Sequence, residues 1–257
     1  MCLIVFSYKQ HSRYDLIFAA NRDEFYKRPT RAAQFWEEHP DLLAGKDLKA
    51  GGTWMGINRA GEFAALTNYR DPSMVKPDAP SRGHLVRRFL VNDDAPESYL
   101  ETVDQQADRY EGFNLLTGTL DELAYYSNKP KEIEKVQPGL HGLSNHLLDT
   151  PWPKVTRAKQ QLSELMEQET LDKEALFDLL KEDTQAPESE LPDTGIPKEL
   201  ERAISPIFIK TQQYGTRCST LMLIDTRGKV TFVERRYKPG TTETTETNRY
   251  EFRIEHR

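Results

Sequence analysis

The sequence predicts an α+β fold of mostly antiparallel sheets with helices packed outside them. Three observations carry this expectation. Apolar runs of strand length, divided by short polar turns, open the chain, return in its middle and close it. Two pairs of segments with helical spacing fall between those groups. The regular strand–helix alternation of a doubly wound parallel sheet is absent. No internal repeat or linker divides the chain, so residues 1–257 are expected to form one domain.

Taken in order, Cys2 to Tyr8 and Asp15 to Ala20 are apolar runs around the polar stretch Lys9-Gln10-His11-Ser12-Arg13, which predicts a hairpin. A second hairpin is expected from Gly51–Asn58 and Glu62–Thr67, turning at Arg59-Ala60-Gly61. From Ser81 to Val91 the period becomes helical, with Leu85, Val86, Phe89 and Leu90 on one face opposite Arg87 and Arg88. Asp94, with Glu97 three positions on, is expected to cap a second helix carrying Tyr99, Leu100, Val103 and Ala107. Strands are expected at Phe113–Thr117, Leu123–Ser127 and near Gly139–Ser144, followed by helices over Lys154–Gln168 and Lys173–Lys181, the latter capped by Asp172. Glu182 to Lys198 holds three prolines and reads as an exposed loop. Strands at Leu221–Asp225 and Val230–Tyr237 flank a turn at Thr226-Arg227-Gly228. The Thr/Glu tract from Thr241 to Thr247 is expected to be solvated, and Tyr250, Phe252 and Ile254 then alternate as on a half-buried edge strand.

Composition narrows the function classes. With 37% apolar residues and 11 Tyr, 11 Phe and 3 Trp, the chain has ample material for a packed core. A net charge of -6 argues against general affinity for nucleic acid. No apolar run approaches the roughly 20 residues of a membrane-spanning helix, and the opening Cys2-Leu3-Ile4-Val5-Phe6 lacks the basic start of a secretory signal. Cys2 and Cys218 are the two cysteines; they could pair, but so few cysteines fit a reducing cytoplasm better. The scattered histidines and the lack of Cys-x-x-Cys or His-Glu-x-x-His speak against a metal site, and the common nucleotide-binding loops are missing.

Cys2 is the most informative position. Initiator methionine is removed before a small residue, and removal of Met1 would leave a thiol and a free α-amine on one residue. An α-amine has an unperturbed pKa near 8 and can take the thiol proton close to neutrality. Nucleophile and base are then one residue. The opposing reading is a cysteine that merely fills a strand. Asn21-Arg22-Asp23-Glu24 follows the run Leu16–Ala20, and in a hairpin it lies beside the chain start, so Asp23 can hold the ammonium there. A polar cluster at a strand end is otherwise an ordinary turn. Asn68 and Asn145 likewise follow strands, and side-chain amides are neutral donors suited to an oxyanion; alone, each also suits a turn. Trp54 after Gly51-Gly52 reads equally as core or pocket, and Arg82, His84, Arg87 and Arg88 as a solvated helix face able to attract an anion. Cys218 reads as a packed core thiol.

Together, Cys2, Asn21-Arg22-Asp23-Glu24, Gly51-Gly52-Thr53-Trp54-Met55-Gly56, Thr67-Asn68-Tyr69-Arg70, Ser81-Arg82-Gly83 and Tyr214-Gly215-Thr216-Arg217 resemble the NRDE family, also called the transport and Golgi organisation protein two family. That family is similar to N-terminal nucleophile hydrolases of the choloylglycine hydrolase and acyltransferase branch. The resemblance implies a four-layer αββα sandwich. It implies Cys2 as nucleophile, Asp23 orienting the terminal amine, Asn145 as oxyanion donor, Asn68 as an auxiliary donor and Arg217 as a late strand arginine. Asn21, Arg22, Trp54 and Tyr69 are expected to line the substrate pocket. One departure stands out: Ala19 and Ala20 occupy the place where the hydrolases carry an Arg near the nucleophile. Arg22 replaces an apolar residue and is expected to point to the face opposite Asn21 and Asp23.

Two functions follow as expectations. One is a cysteine N-terminal nucleophile amidohydrolase or acyltransferase acting on a small amide or acyl thioester, with no cofactor. The other is a non-catalytic carrier of a hydrophobic anionic ligand such as haem or acyl-CoA, since the family's eukaryotic members are associated with membrane trafficking, lipid or acyl-CoA metabolism and haem handling. No histidine sits in a distinctive haem-binding context.

Overall fold

The computed structural model describes residues 2–255. In chain order the strands and helices are β1 (Cys2–Tyr8), β2 (Tyr14–Phe25), β3 (Thr30–Phe35), β4 (Leu42–Asp47), β5 (Met55–Asn58), β6 (Phe63–Asn68), α1 (Gly83–Val91), α2 (Pro96–Asp104), β7 (Phe113–Gly118), β8 (Leu123–Ser127), β9 (Glu132–Lys135) and β10 (Gly139–Leu143). There follow α3 (Pro153–Met166), α4 (Lys173–Leu180), α5 (Lys198–Ala203), β11 (Tyr214–Asp225), β12 (Lys229–Tyr237) and β13 (Thr244–Arg253). The chain divides into two compact units. The first holds residues up to Lys27 with Pro138–Ser144 and Leu148–Glu251; the second holds Arg28–Gln137, Asn145–Leu147 and the residues from Phe252 onward.

The first unit is built on a sheet of order β10-β1-β2-β11-β12-β13. Leu3, Val5, Ile17, Ala19, Leu221 and Leu223 alternate onto one of its faces. Val155, Ala158 and Leu162 of α3 and Leu176, Phe177 and Leu180 of α4 cover that face. Each such fully buried aliphatic or Phe side chain contributes roughly 1.5–3 kcal/mol of transfer free energy, which holds these short helices on the sheet. Asp172 caps α4 by accepting from Glu174 N, as its position predicts. The second unit is built on a sheet of order β3-β4-β5-β6-β7-β8-β9. Leu85, Val86, Phe89 and Leu90 of α1 and Tyr99, Leu100 and Val103 of α2 pack on its Ala64, Leu66, Phe113, Leu115 and Tyr126.

Four expectations are corrected. β2 does not stop at Ala20 but runs through the polar tetrapeptide to Phe25, because β1 and β11 pair with it on both sides. Asp94 does not cap α2: the cap position is Ala95, and Pro96 opens the helix with no N–H to satisfy. Part of the Thr/Glu tract is ordered, since β13 begins at Thr244 as an exposed edge strand. β3, β4 and β9 were not expected at all. A Cys2–Cys218 disulfide is also ruled out. Both thiols are free, and β2 lies between their strands, so their Cα atoms stand roughly 10 Å apart, beyond the reach of an S–S bridge.

Candidate functional site

In the first unit, the β1–β2 register sets Cys2 against Arg22 and Leu3 against Asn21. Direct cross-strand partners point to the same face, so Cys2 and Arg22 share one face while Asn21 and Asp23 take the other. The expectation that Arg22 turns away from Asn21 and Asp23 is met, and turning away brings it beside the thiol. Ala19 and Ala20 carry no charge, whereas the buried Arg22 places one on the face of the thiol. Cys2 is partly buried, and burial pushes its thiol above the ordinary value; the Asp23 carboxylate adds to this and Arg22 opposes it. Arg22 also stands 3.7 Å from Glu24. Ser144 Oγ donates to the Cys2 carbonyl at 3.0 Å, tying the start of β1 to the end of β10.

Asp23 is buried, with Oδ1 accepting from Thr216 Oγ1 at 2.7 Å. Thr216 Oγ1 accepts in turn from Ile209 N at 2.9 Å, and Tyr214 Oη donates to the Asp23 carbonyl at 2.9 Å. Burial raises the Asp23 carboxyl above its ordinary value, against the pull of Lys154 and of the Thr216 hydroxyl. Asn21 is bound to scaffold on every side. Its Nδ2 donates to Leu180 O (2.7 Å) and Ile207 O (2.9 Å), and its Oδ1 accepts from Ser219 Oγ (2.5 Å). It braces β2 to the end of α4, which is a different task from lining a pocket. Arg217 falls where the β2–β11 register shifts: Asp23 faces Thr216, Arg22 faces Cys218, and Arg217 is the extra residue of a bulge. Its Nη1 donates to Phe25 O at 2.9 Å, and burial together with Arg22 and Arg236 lowers its pKa.

In the second unit, Asn145 is fully buried. Its Nδ2 donates to the Asn68 carbonyl at 2.8 Å, and its carbonyl accepts from Arg70 N at 2.7 Å. One amide hydrogen directed at Asn68 O fixes the amide plane and so the direction of the other. Asn68, the last residue of β6, acts here through its backbone oxygen. Tyr69 stands 5.0 Å from the His146 ring, and burial lowers the pKa of that histidine. Trp54 lies over Gly45, where a Cβ would meet its ring at 2.2 Å, so the tryptophan packs on β4. Gly52 and Gly83 meet backbone to backbone, with Thr53 N donating to Gly83 O at 3.1 Å. That contact joins two of the sequence motifs. The basic cluster of α1 is largely spent there: Arg82 binds Gly112 O and Glu111, and His84 binds Ala50 O.

Two residues escaped sequence reading. Asn114, fully buried in β7, donates to Thr67 Oγ1 (3.0 Å) and His146 O (2.9 Å) and accepts from Tyr125 Oη (2.8 Å). An amide inside an otherwise apolar strand was its available signal. Lys154, buried in the first turn of α3 with Nζ on Ile204 O at 3.1 Å, had none, since its spacing reads as a helix surface. Among the described residues no cluster of three or more His, Cys, Asp or Glu is arranged to hold a metal ion. Nor is any described helix long and apolar enough to cross a membrane.

Solved structures share this fold at low identity. A C2A mutant of conjugated bile acid hydrolase from Clostridium perfringens superposes with a TM-score of 0.54 at 10% identity, covering 98% of this chain and 92% of that one. A Caenorhabditis elegans ortholog of N-acylethanolamine-hydrolyzing acid amidase superposes with a TM-score of 0.50 at 11% identity, covering 86% of this chain and 92% of that one. The likeness shows the fold, two antiparallel sheets with helices, and is consistent with the expected αββα sandwich. Similarity in sequence is closer elsewhere. The Transport and Golgi organization 2 homolog of Mus musculus is 40% identical over 277 residues, spanning 99% of this chain and 100% of the relative. The Homo sapiens homolog is 38% identical over 276 residues with the same coverage. Transport and Golgi organization protein 2 of Drosophila melanogaster is 30% identical over 260 residues, 91% of each. The pattern of the Transport and Golgi organisation 2 family matches residues 1–239, from the Cys2 hairpin through Arg217 to the end of β12, and the chain belongs to that family.

Proposed function

We propose that this protein is a cysteine N-terminal nucleophile amidohydrolase or acyltransferase, acting on a small amide or acyl thioester. The observation that carries this reading is the β1–β2 register, which sets Cys2 against the buried Arg22 with the buried carboxylate of Asp23 next in line. Fold likeness to a conjugated bile acid hydrolase and to an ortholog of an N-acylethanolamine-hydrolyzing acid amidase supports the scaffold, while chemistry has to be argued from the site.

In this reading Met1, which lies outside the described residues, is removed first. The α-amine of Cys2 takes the thiol proton, and Sγ attacks the substrate carbonyl carbon. Asp23 leaves the sheet on the face away from the thiol, which suits it to hold the ammonium so formed and not the sulfur. Arg22 favours the thiolate by its charge. The role of oxyanion donor goes to Asn145 on the family resemblance, a contribution of about 3–4 kcal/mol where such donors have been removed. As the tetrahedral intermediate collapses, the carbon–nitrogen or carbon–sulfur bond breaks and the leaving group takes the proton from the ammonium. Water, or an acceptor amine, then attacks the thioester carbon and frees Cys2.

The test is single-turnover acylation by p-nitrophenyl acetate, comparing wild type with Cys2→Ala. A burst of p-nitrophenol in wild type alone supports the reading. Equal release from both proteins, together with undiminished binding of haem or acyl-CoA by Cys2→Ala, would favour the carrier alternative instead.

A further inference from the structure

Asp149 carries a cluster of contacts that the proposed chemistry does not use. Asp149 N donates to Gly142 O at 2.8 Å, and Gly142 N donates back to Asp149 Oδ1 at 2.9 Å, closing a loop of six residues from Leu143 to Leu148. The same carboxylate binds Lys159 Nζ of α3 at 2.6 Å and His141 Nδ1 of β10 at 2.7 Å. The His141 ring stacks on Phe6 of β1 at 5.2 Å. Asp149 itself sits at φ 58, in the left-handed region that a non-glycine residue occupies only when its surroundings demand it. Gly142 is equally constrained, because a Cβ there would stand 2.6 Å from Val155 Cγ1 of α3.

What the clasp encloses gives it a function. The loop begins beside Ser144, whose hydroxyl fixes the Cys2 carbonyl. A six-residue loop with a firmly closed base has few conformations left to it, so the clasp limits where Ser144 can go. We infer that Asp149 is a positioning residue that holds the end of β10 bearing Ser144, and so sets the backbone of Cys2. This rests on the proposed function for its catalytic consequence, but not for its structural one.

Two readouts on the full-length protein test it. Hydrogen exchange should accelerate about tenfold or more at the amides of Gly142, Leu143, Ser144 and Asp149 in Asp149→Ala, with β11 unchanged. Acylation of Cys2 by p-nitrophenyl acetate should slow by a similar factor, while alkylation by iodoacetamide, which needs no oriented carbonyl, keeps its wild-type rate. Asp149→Asn, which still tolerates the left-handed backbone and still accepts from Gly142 N, should recover most of the acylation rate. Loop exchange at the wild-type rate in Asp149→Ala would overturn the inference, as would a loosened loop with undiminished acylation. If Asp149→Ala fails to fold, Lys159→Met is read by the same two criteria. A wild type that the ester never acylates contradicts the proposed function alone, and exchange then decides whether Asp149 holds the loop.

Discussion

Arg22 stands directly across from Cys2 in the β1–β2 register, on the same face of the sheet. Its guanidinium is buried, so its charge is weakly screened where the thiol must ionise. Arg22→Met keeps the length of the stem and removes the charge. The apparent pKa of Cys2 should rise further, slowing alkylation near neutral pH. The pH profile of iodoacetamide alkylation measures this directly.

Asp23 should act in opposite directions on two reactions. Its charge raises the thiol pKa, so Asp23→Asn should lower that pKa and speed alkylation of Cys2. The same substitution removes the proposed partner of the α-ammonium, and acylation by p-nitrophenyl acetate should fall by about a hundredfold. Parallel rate measurements on one variant separate the electrostatic effect from the positioning effect. A drop in both rates would show general damage.

Much of the first unit is legible in the sequence because its apolar runs alternate or cluster cleanly. Hydrophobic spacing finds β1, the first half of β2 and the helices α3 and α4, and in the second unit the buried face of α1. It loses β2 after Ala20, since Asn21-Arg22-Asp23-Glu24 reads as a turn until Leu180 O, Ile207 O, Ser219 and Thr216 are seen to satisfy the polar groups. These partners lie some 160 to 200 positions away, with separations of 159, 186, 198 and 193, and no local pattern reports them. β9 is missed for the opposite reason: Glu132, Glu134 and Lys135 are exposed on an edge strand and carry no apolar signal. The face that Arg22 takes follows from strand parity alone. That this face belongs to Cys2 needs the hairpin register.

Asn145 is buried, with its Nδ2 donating to the Asn68 carbonyl and its backbone carbonyl accepting from Arg70 N. Asn145→Ala strands the Asn68 carbonyl and should cost about 1–3 kcal/mol of stability. Urea unfolding measures that cost. The acylation rate of the folded variant should drop about 10²–10³-fold if Asn145 is the oxyanion donor.

Gly52→Ala tests the junction of two motifs in the second unit. The added Cβ would stand 2.5 Å from the Gly83 carbonyl carbon and 2.7 Å from its oxygen, both backbone atoms that cannot rotate aside. A loss of about 1–3 kcal/mol is expected in denaturant midpoint measurements, as for other overpacked sites.

The clasp around Asp149 should make stability depend on acid pH. Burial pushes its carboxyl up, but the His141, Lys159 and Gly142 donors outweigh burial and hold it below the ordinary 3.8. A depressed folded-state pKa adds stability that is full above 3.8 and is lost as the pH falls through the folded value. The difference in unfolding free energy between wild type and Asp149→Asn should therefore shrink as the pH falls below about 4. A difference that does not change with acid would contradict the assignment of charge to this group.

The central claim is that Cys2 is a processed, reactive N-terminal nucleophile. Intact-mass and peptide-mapping spectrometry of the protein after exposure to p-nitrophenyl acetate tests it in one measurement. The account predicts a chain lacking Met1 with a single acyl group on Cys2, and no adduct on Cys2→Ala. Quantitative retention of Met1, or a processed Cys2 that stays unmodified, would contradict it.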